Sequence, residues 1–87
     1  MQERRVELPR DEGLHARPVG ELSLSARRFE SDVAVRRPGS AEAADAKSPV
    51  ALVAQAFGTG EELEVIAWGP DECEAVGAVE ALVESWG

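Results

Sequence analysis

The sequence predicts an α+β domain in which helices lie on one face of a small antiparallel sheet. Three observations carry this reading. Short stretches of period-two alternation (Val6 and Leu8; Val33 and Val35; Leu63, Val65 and Ala67) are interleaved with stretches of helical spacing. Their order, β-α-β-β-α-β-α, suits an antiparallel sheet with its helices kept to one side. With 87 residues, the chain is one domain, 1–87, with room for one thin core, since a chain this small buries only about 60% of the surface its unfolded form exposes.

Taken in order, residues 3–8 alternate around Val6 and Leu8 and give a strand that Pro9 ends. Residues 9–14 form a loop. From Pro18, Val19, Leu22, Ala26 and Phe29 share one helical face, with Ser23, Arg27 and Arg28 off it, and the helix is expected to stop near Phe29–Glu30. Val33 and Val35 mark a second strand, and Arg37-Pro38-Gly39-Ser40 is a turn with Pro fixing φ at its second position and Gly allowing positive φ at its third. Residues 41–46 are weakly patterned and are read as a returning strand. Ser48-Pro49 is an N-cap followed by Pro at the first helical position, opening a short helix through Val50, Val53 and Ala54 that Gly58-Thr59-Gly60 ends. A fourth strand alternates through Leu63, Val65 and Ala67. Asp71-Glu72-Cys73-Glu74 has the spacing of a capping box before the last helix. That helix carries Val76, Val79, Val83 and Trp86 on one stripe, with Cys73 and Leu82 beside it. Cys73 is expected in the core, and Trp68 and Trp86 as packing residues.

Composition removes several function classes. Nine Lys and Arg against seventeen Asp and Glu leave a net charge of −8, which repels nucleic acid phosphates and anionic membrane alike. The one cysteine excludes an internal disulfide framework and a cysteine-based zinc site. No apolar run approaches the roughly 20 residues of a membrane span, and Met1-Gln2-Glu3-Arg4-Arg5 lacks the apolar segment of a secretory leader, so a cytoplasmic protein without membrane insertion is expected.

Chemistry has one candidate location. The single histidine lies in Gly13-Leu14-His15-Ala16-Arg17-Pro18, where loop gives way to helix. A helix start offers unpartnered N–H groups and partial positive charge, an anion site. Arg17 adds a donor fork that matches phosphate. His15 supplies a ring nitrogen that is nucleophilic when neutral, and its positive surroundings favour the neutral form. A transient phosphohistidine suits this arrangement better than acid–base catalysis, because no second titrating group stands nearby in sequence. From the residues alone the other reading stays open, in which His15 is a cap or loop residue and Arg17 a solvated charge.

The hexapeptide resembles the signature Gly-Leu-His-(Ala/Thr)-Arg-Pro of the histidine-containing phosphocarrier family, HPr, of the phosphoenolpyruvate-dependent sugar phosphotransferase system. The similarity runs over essentially the whole chain and takes in the Lys47-Ser48 pair before a short helix and the long closing helix. It implies an open-faced β-sandwich, four antiparallel strands covered on one face by three helices. It further implies that His15 accepts a phosphoryl group on Nδ1 from enzyme I and passes it to the EIIA domain of a sugar permease. Arg17 would stabilise the phosphate, and the backbone N–H groups of Ala16 and Arg17 would cradle it. The resemblance implies no cofactor and no metal, and a monomer. Pro18 at the first helical position would make Arg17 the cap; the resemblance places His15 at or near the cap and Pro18 deeper in the first turn.

Further residues follow from the same resemblance. Ser48 aligns with a serine that a dedicated kinase phosphorylates in some members, although Ser before Pro at a helix start is accounted for as a cap without that role. Pro49 departs from the bulky apolar residue usual there. Gly20, Pro49, Val50 and Val53 would touch partners, with Phe57 divided between patch and core. Three other functions share some of these features. A regulatory paralogue of the same fold, in its known form, replaces the active histidine, whereas His15 and Arg17 are present here. An unrelated ferredoxin-like ligand-binding domain would give the hexapeptide no special role. A carrier for a non-sugar circuit, nitrogen-related or serving a dihydroxyacetone kinase, shares the chemistry and differs in partner.

Overall fold

Strands whose apolar residues alternate must bury one face, and here a layer of helices covers it. The computed structural model describes residues 1–10 and 16–86. In chain order these are β1 (Gln2–Glu7), α1 (Ala16–Arg27), β2 (Asp32–Arg36), β3 (Ala44–Asp45), α2 (Pro49–Gln55), β4 (Glu62–Trp68) and α3 (Glu72–Ser85). The sheet is antiparallel in the order β1-β4-β2-β3, so the best-patterned strand, β4, lies inside it. Val6, Val33, Val35, Leu63, Val65 and Ala67 point to the helices. There they meet Val19, Leu22 and Ala26 of α1, Leu52 of α2, and Ala75, Val76, Val79 and Val83 of α3, all buried.

The other face of the sheet carries a ladder of charges instead. Arg36 Nε lies 2.6 Å from Glu64 and its Nη2 3.5 Å from Glu3, and Arg5 stands 3.7 Å from Glu64. Ile66 and Ala34, cross-strand partners on this face, are each only 5% exposed.

α1 and α3 run antiparallel and are tied at both ends. At the start of α3, the Asp71 carboxylate accepts from the backbone N–H groups of Glu30 and Ser31 and from the Ser31 hydroxyl. These bonds, led by the Ser31 hydroxyl, hold its pKa below the ordinary carboxylate value. Gly69 makes this junction possible. Its φ is +145°, and a Cβ there would come within 2.7 Å of the Ser31 backbone. At the other end, the Trp86 indole N–H donates to Glu21 Oε1 at 2.7 Å.

Several local expectations are corrected. Asp71 is the N-cap of α3 but makes no side-chain cap bond; its carboxylate is taken by Ser31 and Glu30, so the capping box does not form. Glu72 receives the Gly69 N–H and the Met1 amino group instead. Ser23 is buried rather than off the packed face, because its hydroxyl donates to the Lys47 carbonyl where α1 meets α2. The third strand shrinks to Ala44–Asp45, since the Glu42 N–H turns back to the Ser40 hydroxyl. α1 stops at Arg27, two residues early, although Phe29 still packs on the core. α2 ends at Ala56, left-handed at φ 51°, before the glycines are reached. Cys73 is exposed on the first turn of α3, because the buried stripe runs through Ala75, Val76, Val79 and Val83. Trp68 is 46% exposed on the outer sheet face, while Trp86 is partly buried. The Arg37–Ser40 turn forms as expected, with Ser40 N–H bonded to the Arg37 carbonyl and Gly39 at φ 82°.

The distal junction makes two predictions. Gly69→Ala should lower stability by about 2–3 kcal/mol through strain and the Ser31 contact, read from urea unfolding; a change under about 0.5 kcal/mol would contradict the geometry. Asp71 is more acidic folded than unfolded, so its contribution is full above the ordinary Asp pKa of about 3.9 and fades as pH falls through the lower folded value. Asp71→Asn should therefore be less stable at neutral pH, with a shallower decline on acidification, read from urea midpoints across pH.

Candidate phosphoryl-carrier site

Gly13, Leu14 and His15 lie outside the described residues, and so does the side chain of Ala16. What the structure gives is the frame into which they lead. α1 begins at Ala16, so Pro18 is its third residue and Arg17 is not the cap. Pro18 is fully buried, and its missing N–H falls in the first turn, where helical N–H groups have no carbonyl partner. The first turn holds no acidic residue, leaving the positive end of the helix unopposed from within that turn.

Arg17 is exposed. Its Nη1 lies 3.3 Å from Glu21 Oε2, one turn on, and Glu21 is itself bonded to Trp86 from the end of α3. Gly20 sits in the same turn, and a Cβ there would meet nothing within 4 Å. The glycine thus leaves a shallow, uncovered step beside Arg17.

α1 and α2 also expose apolar side chains. Leu24 of α1 is 65% exposed, and Val50 and Val53 of α2 are 81% and 55% exposed. Phe57 is buried and Pro49 half-buried. The structure thus divides the candidates: Val50 and Val53 face solvent, and Leu52 and Phe57 belong to the core. Cationic and polar bonds hold this surface together. Arg27 Nε donates to the Lys47 carbonyl at 3.0 Å, and Lys47 Nζ donates to the Phe29 carbonyl at 2.8 Å, supplying a donor just past the C-terminus of α1. Ser48 caps α2, its hydroxyl accepting from the Ala51 N–H at 3.2 Å.

Two contributors escaped the sequence reading. Leu24 fell outside the apolar stripe of α1 and was not singled out; its exposure is what its off-stripe position signals. Arg37, read as a turn residue, sits 4.6 Å over the Phe57 ring and binds both Glu61 oxygens and the Gln55 carbonyl. These bonds raise the Arg37 pKa and, together with the Gly58 N–H, lower that of Glu61. The result fixes the far end of α2. Among the described residues, no three His, Cys, Asp or Glu side chains converge to hold a metal ion, and no helix is long and apolar enough to cross a membrane.

Fold and helix end together define a class, a small open-faced sandwich whose first helix starts one residue after the chain's single histidine, with an arginine in its first turn. A family model described as "PTS HPr component phosphorylation site" matches residues 2–85. The chain belongs to the HPr family of phosphocarrier proteins. It is 38% identical over 73 residues to the phosphocarrier protein HPr of Treponema pallidum, covering 84% of this chain and 81% of that one. It is 39% identical to the phosphocarrier protein NPr of Escherichia coli, covering 92% and 88%, and 38% identical to the HPr-like protein Crh of Bacillus subtilis, covering 97% and 96%. A crystal structure of HPr from Thermoanaerobacter tengcongensis superposes with a TM-score of 0.90 at 32% identity, covering 98% of this chain and 93% of that one.

The division of α2 can be measured. Leu52→Ala should cost about 2–5 kcal/mol, whereas Val50→Ala should stay within about 0.5 kcal/mol of the parent. Equal losses in denaturant titrations would contradict the assigned faces.

Proposed function

We propose that this protein is a phosphoryl carrier of the sugar phosphotransferase system, loaded at His15 by enzyme I and unloaded by an EIIA domain. The observation that carries the reading is the Gly13–Pro18 hexapeptide, which leads straight into the start of α1 in a chain whose family model is that of a phosphorylation site. The lone pair of His15 Nδ1 forms the new P–N bond as the donor's P–N bond breaks, the bonding pair staying on the donor ring. Unloading reverses these roles. Arg17 balances the charge of the phosphoryl group, and the first-turn N–H groups, those of Ala16 and Arg17 among them, cradle it. No metal or cofactor takes part; positioning and electrostatics carry the step.

Leu24, Val50 and Val53 form the docking surface, with Pro49 at its border and Gly20 allowing close approach of a partner's backbone. Arg17, Arg27 and Lys47 around them favour acidic partners. The carrier works as a cytoplasmic monomer.

A second reading has its own support. NPr is as similar to this chain as HPr is, which favours a non-sugar circuit with the same chemistry and different partners. A switch at Ser48 is a separate element of the proposal: a kinase would have to draw the Ser48 hydroxyl out of its cap bond to Ala51.

Incubation with enzyme I and labelled phosphoenolpyruvate should give a label that is acid-labile and alkali-stable. His15→Ala should carry none; label surviving in that variant would sink the proposal. Arg17→Ala should slow transfer on the order of 100- to 1000-fold without moving the unfolding midpoint. Hand-over to sugar-specific and nitrogen-related EIIA domains, compared side by side, separates the two circuits.

A further inference from the structure

We infer that Glu21 is a positioning residue for phosphoryl transfer, anchored by Trp86 and acting through Arg17. The inference rests on the carrier reading above and deepens it. Glu21 stands between two donors. Its Oε1 accepts the Trp86 indole N–H at 2.7 Å in a partly buried contact, and its Oε2 faces Arg17 Nη1 at 3.3 Å. Trp86 packs against the core, so the carboxylate is fixed from the α3 side rather than swinging in solvent. A fixed carboxylate one turn beyond Arg17 does two things to that arginine.

It aligns the guanidinium along α1, so that less side-chain freedom is lost when the fork engages a phosphoryl group. It also offsets part of the arginine's positive charge. The arginine then holds the phosphoryl group less tightly, which favours passing it on. Loading the histidine draws Arg17 from Glu21 toward the phosphate and leaves the Glu21 charge to Trp86 alone. The indole therefore reports the loaded state.

The test uses Glu21→Gln, which keeps an acceptor for Trp86 and removes the charge, and Trp86→Phe, which keeps the ring and removes the anchoring N–H. The readout is the equilibrium of phosphoryl groups between enzyme I and the carrier. Exposed ion pairs contribute about 0.2–1 kcal/mol. The equilibrium should therefore shift toward the loaded carrier by roughly 1.4- to fivefold in Glu21→Gln, and in the same direction by less in Trp86→Phe. In a Trp68→Phe background, Trp86 emission should change on loading, and the change should shrink in Glu21→Gln. A purely structural role would lower the unfolding midpoint and leave the equilibrium where it was. Normal loading with an unshifted equilibrium overturns the role of Glu21 and spares the carrier reading. A parent protein that enzyme I cannot load overturns both.

Discussion

The structure depends on how α1 is held. A sheet of four short strands with one covered face gives α1 a floor, but a floor alone leaves a helix free to slide and tilt. Direction is fixed at the two ends of the antiparallel α1–α3 pair. The Asp71 carboxylate gathers three donors from the segment just after α1, and Glu21 takes the indole N–H of Trp86 from the end of α3. Both ties are polar and directional, and between them lies packing that is apolar and not directional. The first turn of α1 is thereby held in a fixed orientation against α3.

This division of labour explains a charge distribution that composition alone makes look hostile to phosphate. Half of the net charge of −8 lies on α3, whose Glu72, Glu74, Glu80 and Glu84 share the helix with no Lys or Arg, whereas Glu3 and Glu64 on the sheet's outer face are bridged by Arg5 and Arg36. The α1–α2 surface instead carries Arg17, Arg27 and Lys47, with Glu21 beside Arg17 and Asp45 beside Lys47. On the proposed reading, this is the end of an acidic protein where cationic side chains would face the phosphoryl group.

The elements were legible in the sequence because they rest on local periodicity. The strands around Val33 and Leu63, the cap at Ser48 with Pro49, and the Pro38-Gly39 turn all use neighbours in the chain, and all formed as read. What escaped the reading depends on partners far away in sequence. The spacing of Asp71 and Glu74 is that of a capping box, yet Asp71 finds better donors 40 and 41 residues away. Ser23 looks like a surface residue until α2 brings the Lys47 carbonyl against it. Cys73 neighbours a buried stripe in sequence and lies on its rim in space. Of the site, residue types alone located the hexapeptide and left its role open, and the family resemblance supplied the role. The Trp86–Glu21–Arg17 chain was not, since it joins residues 65 positions apart.

If His15 carries the phosphoryl group as proposed, loading acts on one end of the clamped helix pair and leaves the other end unmoved. Comparing backbone and indole amide NMR shifts of the unloaded and enzyme I-loaded protein tests it most directly. The account predicts changes at Ala16, Arg17, Val19, Glu21 and the Trp86 indole, with Glu30, Ser31 and Gly69 at the distal clamp unmoved. Shifts spread across both clamps, or absent from Arg17 and Trp86, would contradict it.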